Sequence, residues 1–385
     1  MIDNLISIEE KIWNSVQNET KIGLLDGLSG IALFYKFLID VYSNEKYNER
    51  LLIVIDKINT LLSKENYGFS FCSGLSGFGW VLINCESINI EIEEDYFEDI
   101  DLILQEELIE QSSKNNYDFL HGSMGIAMYF IERCKKNKNN KLSDLLNDFV
   151  KNLNNKILFN IQDLLTRKPG FIDEKHIFFG IAHGVSGYMN FLTHLNKNFI
   201  DLKVDIKEAV RTCLNYLQFH KEYNNLSKQF YPHTFYLESN IINPAIFGWC
   251  QGDLGVANSL HNVAMFLNDD SLKKEAKELV EFSKNITFND SGIKDFGICH
   301  GSTGIVLQYL LSSKIQKINN EQQIQEWFEQ VKKQTKNFKV YESHQGYDEY
   351  EIDMCLLSGA AGLGMTILST DHKIDLKWLE ALNLY

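Results

Sequence analysis

Residues 252–266 have the sequence GDLGVANSLHNVAMF, in which a Gly-x-x-Gly turn leads directly into an apolar stretch. This arrangement occurs seven times along the 385-residue chain. The glycine pairs are Gly27/Gly30, Gly74/Gly77, Gly122/Gly125, Gly184/Gly187, Gly252/Gly255, Gly301/Gly304 and Gly359/Gly362. Repeats of this kind bury a continuous core by stacking on their neighbours. The pattern therefore predicts one body built from seven similar units.

Each unit has room for two helices. The stretch after each glycine pair is apolar on nearly all sides, which is typical of a buried helix. Between the pairs, apolar residues recur at spacings of three and four, as at Leu51, Ile55 and Ile58. The clearest of these outer helices are predicted at Asn48–Lys64, Lys141–Arg167, Val204–His220, Ser271–Lys284 and Glu321–Lys336. We therefore predict an all-α fold, an α/α toroid (double barrel) of seven inner and seven outer helices, forming a single domain over residues 1–385.

The interval between the fourth and fifth turns contains a segment without helical periodicity, Asn224–Asn243. Its aromatic residues are Phe230, Tyr231, Phe235 and Tyr236. Long segments of this kind are either functional lids or packed surface loops. We expect a lid or insertion at about residues 221–246, with a packed surface loop as the alternative.

The charge composition narrows the classes of molecule that the chain is expected to bind. Lys and Arg total 37 and Asp and Glu total 52, a net charge of −15, which disfavours nucleic acid. It is compatible with a cationic peptide and equally with an ordinary acidic surface. Met1–Lys11 lacks the apolar region of a secretory signal, and no apolar run approaches membrane-spanning length. We expect a cytoplasmic protein whose seven cysteines are free thiols or metal ligands.

The two residues before each first glycine form a slot, and five of the seven slots contain Cys or His. The slots are Leu25-Asp26, Cys72-Ser73, Leu120-His121, Ala182-His183, Cys250-Gln251, Cys299-His300 and Leu357-Ser358. The fifth and sixth slots, which belong to neighbouring repeats, supply Cys250, Cys299 and His300. Three protein ligands with an open fourth position are typical of catalytic zinc. The alternative for each cysteine alone is apolar packing.

The ligand types also favour one kind of chemistry. Zn²⁺ with two thiolates and a neutral imidazole has a formal charge of zero, and a third thiolate would make the centre anionic. Such a centre is poor at generating hydroxide and good at holding a reactive thiolate. The predicted ligand set therefore indicates thiol chemistry rather than hydrolysis.

At these residues the chain resembles the lanthionine synthetase C family, the lanthipeptide cyclases. The resemblance extends over essentially the whole chain. Its most specific parts are Gly248-Trp249-Cys250-Gln251-Gly252 and Cys299-His300-Gly301, followed by Ala182-His183-Gly184 and Tyr117-Asp118. The family's fold is the α/α toroid, and its reaction adds a peptide cysteine thiol to dehydroalanine or dehydrobutyrine to close a thioether ring.

The resemblance implies roles for individual residues. Cys250, Cys299 and His300 would bind one zinc ion per chain, and the substrate thiol would take the fourth position. His183 would protonate the α-carbon, with His121 as the alternative from an equivalent slot. Asp118 would orient His183 or deprotonate the thiol, and its alternative role is to cap a turn.

The resemblance also implies partners. They are a dehydrated precursor peptide, with a dehydratase and an export transporter as further candidates. Any membrane association would then come through such a complex.

Two residues depart from the family pattern. Ile246 stands four residues before the first zinc cysteine, where the best-known member has arginine, and Gln251 replaces a residue that is often Tyr or His. They leave open how the enolate is stabilised and which substrates fit. The alternative functions are glutathione addition to dehydroamino acids and a non-catalytic zinc toroid that binds peptide as a scaffold. Hydrolase-like or prenyltransferase-like toroids are a further alternative, but hydrolases need paired carboxylates and the slots offer only Asp26.

Overall fold

The computed structural model describes residues 2–65, 67–86, 90, 92–136, 139–167, 174–335, 339–344 and 347–385. Its helices are α1 (Ile2–Val16), α2 (Leu28–Tyr42), α3 (Glu45–Leu62), α4 (Leu75–Cys85), α5 (Glu94–Ser113), α6 (Ser123–Lys136), α7 (Asn140–Leu165), α8 (Val185–Asn198), α9 (Lys207–Phe219), α10 (Asp253–Leu267), α11 (Asp270–Ser283), α12 (Phe288–Ser291), α13 (Ser302–Gln316), α14 (Glu321–Gln334) and α15 (Ala360–Asp371). Its strands are β1 (Thr166–Arg167), β2 (His176–Phe178), β3 (Pro232–Tyr236), β4 (Ile242–Pro244), β5 (Lys339–His344) and β6 (Tyr347–Ile352), and a 3-10 helix covers Leu376–Leu382.

All seven helices predicted after the glycine turns are present. They are α2, α4, α6, α8, α10, α13 and α15, and each begins at the residue that follows the first glycine of its pair. Nearly every residue in their first three turns is buried. These stretches are apolar on nearly all sides because the helices that they form are buried on nearly all sides.

The five predicted outer helices correspond to α3, α7, α9, α11 and α14, and α1 and α5 add two more amphipathic helices. Several predicted boundaries were wrong by two or three residues. Helix α3 covers Glu45–Leu62 rather than Asn48–Lys64. Helix α9 begins at Lys207 rather than Val204, and the Asp205 carboxylate accepts a hydrogen bond from the Lys207 backbone N–H. Helix α7 ends at Leu165, where β1 begins. Lys336, the last residue of the α14 prediction, lies outside the described residues.

The segment predicted to be irregular, Asn224–Asn243, instead contains strand β3 and the start of β4. Strands β1 to β4 form an antiparallel sheet in sequential order, with Ile177 opposite Phe235 and Thr234 opposite Asn243. Aromatic and β-branched residues favour strands. Here they form β3, which pairs with β2, a strand far away in the sequence. The sequence analysis also did not predict the antiparallel hairpin formed by β5 and β6. The role of residues 221–246 as a lid stays a prediction.

The chain divides into two compact units. Unit 1 consists of Met1–Leu142, Asp295–Ile298 and Val331–Leu376, and unit 2 of Ser143–Lys294, Cys299–Gln330 and Lys377–Tyr385. Unit 2 holds the fourth, fifth and sixth glycine turns, and unit 1 holds the other four. The single-domain organisation stays a prediction. Among the described helices, none combines the length and the apolar character that a bilayer crossing requires.

Within unit 1, backbone hydrogen bonds join the slots of neighbouring repeats. The Leu25 N–H donates to the Cys72 carbonyl over 2.9 Å, and the Cys72 N–H donates to the Leu120 carbonyl over 3.0 Å. The Leu357 N–H donates to the Leu25 carbonyl over 2.8 Å. This direct contact between backbones leaves no room for a side chain at the glycine positions of the turns. A Cβ atom at Gly77 would lie 2.2 Å from the Phe71 carbonyl oxygen and 2.8 Å from the Leu24 Cβ.

We expect Gly77→Ala to lower the free energy of unfolding by about 1–3 kcal/mol or more, because the added methyl group overlaps fixed backbone. An ordinary helical glycine would gain stability from this change. The measurement is urea-induced unfolding followed by circular dichroism. Gly68→Ala is the control, since a Cβ there meets nothing within 4 Å. Equal stability of the two variants would contradict the steric interpretation.

Candidate metal centre

Three predicted ligands come together in unit 2. One ligand atom each from Cys250, Cys299 and His300 lies within 4.8 Å of the other two. The Cys299 Sγ and the His300 Nε2 are 3.8 Å apart. Both cysteines are half-buried, whereas His300 is exposed. The group is therefore closed on the protein side and open toward solvent.

Two glycines allow the turns that carry this triad to touch. A Cβ at Gly180 would lie 2.0 Å from the Cys250 carbonyl oxygen, and one at Gly248 would lie 3.2 Å from the Cys299 carbonyl oxygen. The N–H groups of Trp249 and Cys250 both donate to the Cys299 carbonyl. Cys299 and His300 lie in a bend that ends before α13, so adjacent side chains can face one point, as predicted.

The local electrostatics single out Cys250. The neighbouring Cys299 thiol, which hydrogen-bonds to it, and the nearby His300 imidazole hold the pKa of the Cys250 thiol well below its usual range, although burial opposes them. The triad also directly precedes the N-termini of α10 and α13, whose dipoles favour negative charge. These surroundings make the Cys250 thiol more acidic than an ordinary cysteine, as a metal-binding or reactive thiol requires.

Other cysteines have the opposite character. Cys72 occupies an equivalent slot in unit 1, yet burial raises the pKa of its thiol to about 12. Burial likewise raises the pKa of Cys213, in unit 2, to about 12. None of the seven cysteines, all of which are described, forms a disulfide bond. The interpretation of Cys72 and Cys213 as core thiols agrees with this environment.

His183 lies in a small cluster of imidazoles around the Phe178 ring. The Phe178 centroid is 5.8 Å from His183, 5.2 Å from His233 and 4.8 Å from His176. His233 also interacts electrostatically with Cys250 and His300, and burial is the main cause that lowers its pKa. The cluster and the triad therefore share one part of unit 2.

Sequence reasoning missed His233 and His176. They lie on strands β3 and β2, where the sequence predicted a loop or made no specific prediction. The alternation of His233 and Phe235 with Pro232 and Thr234 was the available signal, because alternate residues of a strand share one face.

A buried carboxylate fixes the strand that carries His233. Asp253, the first residue of α10, is 1% exposed and accepts hydrogen bonds from the backbone N–H groups of Phe230 (2.8 Å) and Tyr231 (2.9 Å). The Gln229 side chain accepts from the Asp253 N–H and donates to the Ala245 carbonyl, each over 2.9 Å. Gly252 has φ +103°, and a side chain there would collide with Gln229.

The two departures from the family pattern contact each other. The Gln251 side-chain oxygen accepts a hydrogen bond from the Ile246 N–H over 3.3 Å, and Gln251 is buried. The Gln251 carbonyl accepts from the Gly248 N–H. Both residues thus help to form the turn that presents Cys250.

Asp118 and His121 lie in unit 1. One carboxylate oxygen of Asp118 accepts hydrogen bonds from the N–H groups of Leu120 (3.0 Å) and His121 (2.7 Å). This is the turn-capping role that the sequence left as an alternative. The catalytic role of Asp118 stays a prediction. His121 is exposed, whereas His183 is half-buried.

Comparison with known proteins supports these assignments of fold. The family model "Lanthionine synthetase C-like protein" matches residues 18–383. Among solved structures, nisin cyclase is similar with a TM-score of 0.79 and 18% identity, over 99% of this chain and 96% of that chain. D-mannose isomerase is similar with a TM-score of 0.44 and 12% identity, over 71% of this chain and 81% of that chain. The match to nisin cyclase confirms the predicted all-α toroid fold.

We expect the stability contributed by Asp253 to fall as the pH rises. Burial raises the pKa of this carboxyl to about 7, although two backbone N–H donors favour its charged form. In the unfolded chain the pKa of this carboxyl is about 4. The folded state therefore binds more protons between about pH 4 and 7, and the contribution is lost across this window.

The measurement compares urea unfolding of the wild type and Asp253→Asn, both treated with a chelator, between about pH 5 and pH 8. The asparagine side chain does not titrate, so the wild type should lose more stability than the variant across this range. A stability difference between the wild type and the variant that stays constant with pH would show that Asp253 is ionised throughout this range.

Proposed function

The chain belongs to the lanthionine synthetase C-like protein family, and on this premise we propose that it is a zinc-dependent lanthipeptide cyclase. It would add the cysteine thiols of a dehydrated precursor peptide to dehydroalanine or dehydrobutyrine, forming lanthionine or methyllanthionine rings. The observation that carries the proposal is the convergence of Cys250, Cys299 and His300 within 4.8 Å.

The donor set fits zinc in type and spacing. With Zn–S of about 2.3 Å and Zn–N of about 2.0–2.1 Å, tetrahedral geometry separates ligand atoms by roughly 3.5–3.8 Å. The Cys299 Sγ to His300 Nε2 separation of 3.8 Å is within this range. The depressed pKa of Cys250 lowers the free-energy cost of deprotonating this ligand for metal binding. The exposed side of His300 leaves access for one further ligand.

When bound, zinc would hold the substrate cysteine as a thiolate, which is the nucleophilic form. The sulfur forms a bond to the β-carbon of the dehydro residue, and the electron pair of the carbon–carbon double bond moves toward the adjacent carbonyl. A proton added at the α-carbon completes the ring, so the thiol adds without a leaving group. The protein must therefore accept one proton from the thiol and return one to carbon.

His183 is the candidate for returning that proton. It directly precedes the turn into α8, and Phe178 connects it to His233, which lies within electrostatic range of Cys250 and His300. Imidazole is suited to proton transfer in both directions near neutral pH. His233, whose pKa burial lowers, would stay neutral and donate a hydrogen bond to the peptide rather than add a second cation.

The acidic chain suits a cationic peptide substrate, since its net charge is −15. The chemistry also defines what must come before. Dehydroalanine and dehydrobutyrine arise by loss of water from Ser and Thr, so a dehydratase reaction must supply the substrate. We propose a cytoplasmic site of action, next to that dehydratase and a peptide exporter.

We expect purified protein to contain about one zinc ion per chain. Cys250→Ala, Cys299→Ala and His300→Ala should each lose most of it, because two ligands hold zinc far more weakly than three. The measurement is metal analysis after gel filtration. Cys213→Ala is the matched control, since this buried thiol lies in the same unit outside the triad. Full zinc in the triad variants would contradict the ligand assignment.

We expect His183→Asn to keep its zinc and to lose ring closure by at least about 100-fold, because proton transfer by a positioned side chain contributes about that much. The assay follows loss of free thiol in a dehydrated peptide and identifies thioether rings by mass spectrometry after thiol alkylation. His121→Asn is the control and should remain active. Activity lost in His121→Asn and retained in His183→Asn would reverse the assignment.

The same assay separates the alternative functions. Zinc-loaded protein that leaves the peptide uncyclised but adds glutathione to it would be a transferase. Zinc-loaded protein that does neither, above the uncatalysed rate, would be a scaffold.

A further inference from the structure

A buried amide, Gln308, lies on α13, the helix that directly follows Cys299 and His300. The residue is 0% exposed, and its side-chain N–H group donates a hydrogen bond to the Gly248 carbonyl over 3.2 Å. Gly248 stands two residues before Cys250, in the turn that carries this ligand. One side chain of α13 therefore contacts the Cys250 turn, while the other two ligands directly precede the same helix.

The oxygen of this amide is unfavourable for folding. The Gln308 side-chain oxygen is buried and has no hydrogen-bond partner in the part of the chain that the structure describes. Burial of an unpaired carbonyl oxygen costs free energy. Methionine is of similar size and would fill the space without this cost. Stability alone therefore does not favour an amide at this position, and the bond to Gly248 is what methionine would lack.

The glycine next to this amide differs from its counterparts in other repeats. In five of them a Cβ would lie 2.1–2.3 Å from the carbonyl oxygen of the residue six positions earlier, namely at Gly30, Gly77, Gly125, Gly187 and Gly362. At Gly255 it would instead lie 2.9 Å from the Gln308 Oε1 and 2.9 Å from the Ile181 Cδ1. The turn of Cys250 thus follows a different path, and the Gln308 amide lies where the five other turns have a backbone carbonyl.

Hydrogen bonds to α10 fix the part of α13 that carries Gln308. The Asn258 side chain donates to the Gln308 backbone carbonyl over 3.3 Å. It accepts from the Ser312 hydroxyl over 2.8 Å and from the Gln316 amide over 3.1 Å. A side chain on a well-held helix positions its partner more precisely than one on a loop. Helix α13 therefore provides a rigid base for the bond to the turn.

The other bonds between the Cys250 turn and the Cys299 turn use a single acceptor. The N–H groups of Trp249 and Cys250 donate to the Cys299 carbonyl over 3.2 Å and 3.4 Å, at or beyond the long end of the usual range. Two long bonds to one oxygen allow the turn to pivot about that atom. The Gln308 bond holds the turn at a second point, Gly248, and so fixes the direction in which the Cys250 side chain leaves it.

We propose that Gln308 is a positioning residue of the candidate metal centre and holds the Cys250 sulfur in place relative to Cys299 and His300. Residues that orient metal ligands without touching the metal typically change its affinity by about 10- to 100-fold. The inference rests on the proposed function only in taking these three residues as metal ligands, and it does not depend on the ring-closing reaction.

The experiment titrates the zinc-free protein with Co²⁺ and then displaces the cobalt with Zn²⁺. The absorption bands of thiolate-bound cobalt report the geometry of the site, and the displacement reports the zinc affinity. Gln308→Met should bind zinc at least about 10-fold more weakly than the wild type and should shift the cobalt bands. Unchanged affinity and unchanged bands would overturn the proposal.

Gln316→Met is the matched control. Gln316 is a buried amide on the same helix, and its side-chain oxygen is also unpaired among the described residues, but its N–H group donates to Asn258 rather than to the turn. This variant should keep the wild-type zinc affinity and cobalt bands. Equal loss of zinc affinity in both variants would mean that only the packing of α13 matters and would overturn the proposal.

Urea unfolding of the zinc-free proteins separates positioning from a general loss of stability. Each exchange removes one amide hydrogen bond and one unpaired buried oxygen. The urea midpoint of Gln308→Met should therefore change no more than that of Gln316→Met, although only Gln308→Met loses zinc affinity.

A second variant displaces the Gln308 amide without removing it. In Gly255→Ala the new methyl group meets two side-chain atoms, the Gln308 Oε1 and the Ile181 Cδ1, which can move aside without a shift of the backbone. It should weaken zinc binding in the wild-type background and have no further effect in the Gln308→Met background, because the bond that it disturbs is already absent. Fully additive effects, or no weakening in the wild-type background, would overturn the proposal.

The cyclisation assay distinguishes this inference from the proposed function. A wild type that forms rings, with a Gln308→Met variant that binds zinc equally tightly, refutes the positioning role alone. A wild type that binds zinc but forms no ring, with weaker zinc binding in Gln308→Met, refutes the proposed reaction alone. A wild type that binds neither zinc nor cobalt overturns both.

Discussion

Direct contact between the backbones of neighbouring turns is the constraint on which the rest of this structure depends. Gly180 lies against the Cys250 carbonyl and Gly248 against the Cys299 carbonyl, with no space for a side chain at Gly180 and little at Gly248. The same contact recurs in unit 1, where Gly23 lies against the Cys72 carbonyl. Because the turns touch, slots that are roughly fifty to seventy residues apart in sequence become neighbours in space. The predicted metal ligands therefore meet as a consequence of the fold.

The same slot produces different chemistry in different repeats, because the surroundings set the pKa of its thiol. Cys72 is enclosed, and its pKa rises to about 12 through burial, with the nearby Asp26 and Asp118 carboxylates adding to the rise. Cys250 is only half-buried, and a second thiol and an imidazole lie beside it, so its pKa falls. The cysteine and the histidine of the next repeat thus make the thiol of Cys250 more acidic than that of Cys72.

The sequence alone was sufficient to predict the features that follow from a local pattern or from the repeat. The start of all seven inner helices and the meeting of Cys250, Cys299 and His300 could be predicted, since both follow from the glycine repeat. The sheet was missed, because the pairing of β3 with β2 joins residues more than fifty positions apart and the alternation at residues 232–235 is too short to be a strong local signal. His233 was missed for the same reason. The start of α9 was placed three residues too early, ahead of the Asp205 carboxylate that accepts a hydrogen bond from the N–H of its first residue, Lys207.

Asp253 connects the turn of the candidate metal centre with the segment that leads into β3. It begins α10, directly after the turn that carries Cys250, and it binds the N–H groups of Phe230 and Tyr231. The strand that follows carries His233, which interacts electrostatically with Cys250 and His300. A single buried carboxylate thus holds the turn of the candidate ligands and the strand of the neighbouring imidazole in place together.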